Sequence, residues 1–200
     1  IIGGRLGCVL FYDFDFYSNN LSLILLDIRK GGMSFHGGLI GVTITCLIFS
    51  IYKKVSFYAV MDIVACCAPI GIFLGRLANF VNSELWGKTT NLPIGIVFPN
   101  GGDLPRHPSQ IYEAFLEGVL LFLILQIVYI KKYSIFGFTS AMYLIFYSIF
   151  RILVEFFREP DSHIGYIANS YYLTMGMLLS LPMLFIGITL LFIIYVKHRK

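Results

Sequence analysis

The chain is built from long apolar runs broken by short polar connections, and a helix needs ~20 consecutive apolar residues to cross a bilayer. Five such runs are legible, over 34–52, 57–81, 108–130, 135–157 and 171–196. A first apolar stretch reaches only Tyr12. That is too short to cross alone, and it reads as the second half of a span whose beginning is absent. It lacks the cationic head and small-residue cleavage site of a signal peptide. Composition agrees: 58% of residues are hydrophobic and 13% charged, with a mean hydropathy of +0.80, whereas a soluble domain carries roughly 25% charged residues. The expected fold is an all-α polytopic membrane protein. It is read as a single transmembrane domain, 1–200, with five full spans and an N-terminal half-span.

The connections are less regular. Residues 13–33 are mixed and polar, with a short surface helix expected over Leu21–Leu26. The loop 85–107 is rich in proline, and its IGIVFPNGG portion is expected to pair as a short hairpin. Pro182 is expected to interrupt the last span. Cys8, Cys46, Cys66 and Cys67 lie in apolar runs without zinc spacing and read as small buried apolar residues. No aromatic-interleaved basic tract points to nucleic acid.

Basic clusters set the expected orientation. Lys53-Lys54, Lys131-Lys132 and the Lys197–Lys200 tail fall on one side by span count, and the positive-inside rule makes that side cytoplasmic. The opposite face then collects four polar blocks: FHGGLIG (35–41), GRLANFVNSELWGK (75–88), RHPSQ (106–110) and RILVEFFREPD (151–161).

Within these blocks, Arg76, Asn79 and Ser83 are spaced by three and four and share a helix face. Arg151, Glu155 and Arg158 do the same. An Arg151–Glu155 pair is worth tenths of a kcal/mol in water. In lipid its desolvation makes it a poor device for stability alone, and ionisable residues at that depth point to function. Gln110, Glu113 and Glu117 recur at i, i+3 and i+7. Two readings stand for the carboxylates: site residues, or acids favoured by the dipole at a helix N-terminus. Gly37, Gly38 and Gly41 beside His36 also have two readings, close helix packing or bare backbone that a ligand approaches. Trp86 reads as an interfacial anchor. His107, His163 and His198 read as structural or solvated.

With these blocks in hand, GGMSFHGGLIG (31–41), GRLANFVNSELWGK (75–88), RHPSQIYEA (106–114) and RILVEFFREPD (151–161), the chain resembles the prolipoprotein diacylglyceryl transferases. That resemblance implies seven spans in the family, of which the last five and a half are matched here. It implies a bacterial plasma-membrane enzyme with its site toward the outer face and its C-terminus in the cytoplasm. The implied reaction moves the diacylglyceryl group of phosphatidylglycerol onto the lipobox cysteine of a prolipoprotein signal peptide. A thioether forms and glycerol phosphate leaves. The resemblance further implies a catalytic set of His36, Glu84 and Glu155. It implies a phosphatidylglycerol-binding set of Arg76, Asn79, Arg151, Gly37 and Gly87. Ala78 and Ser83 stand where the family signature usually has glycine, and Lys88 where arginine is common. Both small residues are expected to preserve close backbone approach.

The residue types suit that chemistry. Guanidinium groups match phosphate oxygens, and Arg76 and Arg151 would act where charge develops. A thiol of pKa ~8.5 must become a thiolate. His36 has the appropriate ordinary pKa for a base, and Glu84, Glu113 and Glu155 are alternatives if desolvated. No metal or other cofactor is required. Two rivals compete, a transporter or channel and a non-catalytic lipid-binding protein. A transporter should carry polar residues to the midplane and an inverted repeat, whereas here they gather at one face.

Overall fold

The computed structural model describes residues 1–11, 17, 34–132, 134–160 and 173–199, with the side chains of Phe11, Phe35 and His36 excepted. The expected surface helix at 21–26 and His163 lie outside the described residues. The chain divides into two compact units, Ile1–Val60 and Met61–Lys200.

In the first unit, α1 (Ile2–Phe11) packs on α2 (Phe35–Lys53). Ser34 caps α2 by accepting the Gly37 N–H at 3.3 Å, which satisfies one of the helix's orphan donors. A Cβ on Gly7 would sit 2.7 Å from the Gly37 Cα, and one on Gly41 would sit 3.1 Å from the Gly3 Cα. Gly37 and Gly41 are thus used for backbone-to-backbone packing, the small-residue device of membrane bundles. Gly38 faces open space. Helix α2 ends at Lys54, whose φ is 55°. The Lys54 and Val55 amides bond the carbonyls of Ile51 and Ser50, the paired closure of a Schellman motif.

The second unit contains most of α3 (Phe57–Val81), then α4 (Ser109–Lys132), α5 (Phe138–Glu155) and α6 (Met175–Arg199). All four helices are long and apolar enough to cross a membrane. In α2 the apolar stretch Gly37–Lys53 is shorter. Among the described residues the regular elements are all helical, as a lipid environment demands of a chain that is not a closed barrel. Leu121, Leu125 and Phe150 form a core between α4 and α5. Away from it, large apolar side chains such as Val81, Ile130 and Phe185 are mostly exposed, a surface suited to acyl chains and not to water. Pro182 lies inside α6 without ending it. The expected interruption is therefore absent, and the helix runs on past the lost hydrogen bond.

Helix α4 is not uniform. Ser109–Glu113 is α-helical, Ala114–Leu120 is a π-helix, and Leu121–Lys132 is α-helical again. Ser109, Glu113, Glu117, Leu121 and Leu125 are each wholly buried, and each lies four residues after the last. In a regular α-helix such a stripe would rotate by about 40° per step, because 3.6 residues make a turn. The wider i→i+5 turn winds it back, so one stripe stays inward along the helix.

Asp62, buried in α3, starts α5. Its carboxylate accepts the N–H of Gly137, the N–H of Ser140 and the Ser140 hydroxyl, each at 2.7 Å. Asp62→Ala leaves these donors unpaired where water is scarce. It is expected to cost about 1–3 kcal/mol, read as earlier thermal unfolding in detergent, with Asp62→Asn milder.

The expected hairpin within 94–102 does not form as a pair of strands. Ile96 instead exchanges both backbone bonds with Arg106, each at 2.9 Å, and Gly101 closes a turn onto Phe98. Pro99 and Pro105 cannot donate to a ladder, so pairing stays at isolated bridges.

Candidate active site

The second unit gathers its charges around one carboxylate. Glu113, on the buried stripe of α4, receives three arginines from elsewhere in the unit. Its Oε1 accepts from Arg151 Nη1 of α5 and, at 3.1 Å, from Arg158 Nη1 just beyond α5. Its Oε2 lies 3.2 Å from Arg76 Nε of α3. Glu117, one step further along the stripe, is 3.6 Å from Arg76 Nη2 and 4.0 Å from Arg151 Nη1. Its oxygens accept no hydrogen bond among the described residues. Glu155 pairs with Arg151 Nη2 at 3.0 Å. Among the described residues, three guanidinium groups thus face three carboxylates, and the formal charges of these six cancel. Burial without such pairing would drive the groups neutral or unfold the site.

Arg76 reaches the cluster with Nε and Nη2, and no bond to its Nη1 is seen among the described residues. Its side chain retains 18% exposure, against none for Glu113. Arg76 is therefore anchored on one edge and open on another, the arrangement a bidentate anion contact requires. Below it lies an apolar groove of about 140 Å³ lined by Pro69, Ile70, Phe73, Gly118, Val119, Phe122 and Leu123. Gly118 lets α3 approach: a Cβ there would lie 2.7 Å from the Cβ of Phe73.

The block after Arg76 continues the site's frame. Asn79 donates its Nδ2 to Glu84 Oε2 at 3.3 Å. Helix α3 closes with the Ser83 and Glu84 amides on the carbonyls of Phe80 and Asn79, again a Schellman motif. Ser83 holds the left-handed position, φ 55°. What this position demands is a backbone conformation and not only small size, and serine is strained there. Gly87 is the crossing point of three segments. A Cβ on it would meet the Phe157 carbonyl oxygen at 2.5 Å and His107 at 2.7 Å. Its amide bonds the His107 carbonyl, and the Lys88 amide bonds that of Phe157. Lys88 Nζ donates to the Phe156 carbonyl at 3.1 Å, placing a cation at the C-terminal end of α5.

His107 bonds Tyr112 through Nδ1 and packs against Phe157, a structural place as expected. Trp86 stacks on Phe98, with Arg106 beyond it. His36 lies in the first turn of α2, in the first unit, and its side chain is outside the described residues. Of the expected residues, the second unit brings together Arg76, Arg151 and Glu155 directly, with Asn79 and Glu84 paired alongside. Sequence reasoning left Glu113 and Glu117 between two readings. They are the hub, and the four-residue spacing from Ser109 to Leu125 was the signal for it.

Comparison with known proteins gives a match along nearly the whole chain. The family described as prolipoprotein diacylglyceryl transferase matches residues 1–193. The chain is 48% identical over 199 residues to the phosphatidylglycerol–prolipoprotein diacylglyceryl transferase of Pasteurella multocida, covering all of this chain and 73% of that protein. The protein of the same name from Rickettsia felis is 50% identical, covering 94% of this chain and 72% of its own. That from Geobacter sulfurreducens is 48% identical, covering 100% and 75%. With a match running nearly end to end, this chain belongs to the prolipoprotein diacylglyceryl transferase family.

Proposed function

We propose that the chain transfers the sn-1,2-diacylglyceryl group of phosphatidylglycerol to the cysteine thiol of a prolipoprotein lipobox. The observation that carries this reading is the convergence of Arg76 and Arg151 on Glu113, in a chain of this family. The phosphodiester is taken by the open edge of Arg76 and by Arg151. Both are held by carboxylates before substrate arrives, so little reorganisation is needed as charge grows on the leaving phosphate. The apolar groove beside Gly118 takes a short stretch of one acyl tail. Asn79 steadies Glu84 or the glycerol, and Glu155 orients Arg151.

In the step itself the thiol loses its proton to a base, and His36 is our choice. Glu84 and Glu155 are the carboxylates that relay or hold protons. The thiolate attacks the glycerol carbon bearing phosphate, a C–S bond forms, the C–O bond breaks, and glycerol phosphate leaves with the electron pair. Gly37 and Gly87 contribute through the close backbone approach they permit. We place the protein as a single multi-pass domain in the bacterial inner membrane. In this reading it has five spans and a half-span, its site toward the outer face, and its C-terminus in the cytoplasm, on the strength of the lysine clusters. Clustering of charge at one end of α3, α4 and α5 favours this over a transporter, whose polar path would cross the midplane.

The test is direct. Membranes containing the protein, phosphatidylglycerol and a lipobox peptide are expected to yield a peptide heavier by one diacylglyceryl group on its cysteine. No mass gain from folded protein overturns the reading.

A further inference from the structure

Between Arg76 and Gly87 the backbone does something costly. Ser83 and Leu85, either side of Glu84, both take positive φ, 55° and 57°. For a branched, bulky residue such as leucine this is a true outlier, and such conformations persist only where surroundings over-determine them. The surroundings here are two side chains of the first turn of α4. Ser109 Oγ donates to the Leu85 carbonyl at 3.0 Å, and Gln110 Nε2 donates to the Glu84 carbonyl at 2.6 Å. Both side chains are wholly buried. The amide of Gln110 has a defined sense: reversing it would set its oxygen against the Glu84 carbonyl. In the sense observed, Oε1 is buried without a hydrogen-bond partner among the described residues. An acceptor left unpaired in that way is a cost accepted for the bond that Nε2 makes.

We propose that Ser109 and Gln110 are positioning residues: they clamp the left-handed turn Ser83–Leu85 and thereby set the Glu84 carboxylate beside Asn79. The proposal rests on the reading above only in giving Glu84 a part in the transfer. The same short helix turn then sends Glu113, one turn on, to the arginines. One element sets both halves of the second unit's site.

The clamp is tested in the full chain by hydrogen exchange at the amides of residues 83–87, alongside transfer rates. Ser109→Ala and Gln110→Ala are expected to speed exchange there by about tenfold or more, since local opening reports local stability. They are expected to lower kcat by about tenfold, with KM for phosphatidylglycerol little changed, as for a misplaced group. Ser83→Gly removes no side-chain hydrogen bond seen among the described residues and relieves the strained residue. Alone it is expected to slow exchange, and added to either alanine variant it is expected to restore part of both losses. Ordinary loss of packing would not be rescued in this way. Unchanged exchange in both alanine variants, or no rescue by Ser83→Gly, overturns the clamp. Faster exchange in the alanine variants, with no transfer by the wild-type protein, supports the clamp and overturns the transferase reading.

Discussion

Glu113→Ala is expected to be the most damaging single substitution in the second unit, lowering stability by about 3–5 kcal/mol and abolishing transfer. One carboxylate, with no exposure, holds Arg76, Arg151 and Arg158. Removing it leaves three cations facing one another without the carboxylate they share. The desolvation already incurred is then uncompensated, and that remaining cost sets the size of the effect. Glu113→Gln keeps the volume and one acceptor oxygen but loses the charge, so an intermediate loss is expected. Glu159→Ala is the internal reference. Its pair with Arg106 spans 3.4 Å with the acid about half exposed, and such a pair is worth about 1 kcal/mol or less. Thermal unfolding in detergent ranks the three. Equal melting of Glu113→Ala and Glu159→Ala would remove Glu113 from its central place.

The second large effect separates charge from shape. Arg76→Lys and Arg151→Lys are each expected to lower kcat/KM by about a hundredfold or more, although the net charge is kept. Arg76 meets Glu113 and Glu117 with two nitrogens at once and keeps a third for the phosphodiester. An ammonium is a single point charge and cannot face the carboxylates and the ligand in a fixed plane. In Arg76→Ala the loss is expected to be greater, because Glu113 and Glu117 then turn uncompensated negative charge toward an incoming anion. Steady-state rates against phosphatidylglycerol concentration decide the matter. Full turnover in both lysine variants would mean that neither arginine holds the phosphate.

Much of this was legible from residues alone. The apolar runs fixed the helices, and the observed ends of α2 and α3 lie within a residue or two of those expected. Spacing put Arg151, Glu155 and Arg158 on one face, and Arg151 and Arg158 share Glu113 there. Glu113 itself was harder, since a carboxylate near a helix start has a sufficient explanation in the dipole. The four-residue spacing from Ser109 to Leu125 becomes one inward stripe only through the π-turn, which a regular 3.6-residue period does not anticipate. Ser83 shows a different limit. Its size suggested tolerance of the glycine's place, whereas the demand at that place is a dihedral angle, which side-chain volume does not report. The proline-rich loop misled because turn signals predict reversal without naming the partner: Ile96 finds Arg106 instead of a neighbour across the nearer turn.

The π segment of α4 has one more consequence. It is equivalent to a single residue inserted into an otherwise regular helix, and one residue corresponds to about 100° of rotation. Deleting one residue other than Glu117 between 114 and 120 would return the segment to regular α geometry, with Glu113 and Leu121 seven residues, about two turns, apart and still on one face. What the extra residue changes is the place of Glu117, which the wider turn keeps on the buried stripe midway between Glu113 and Leu121.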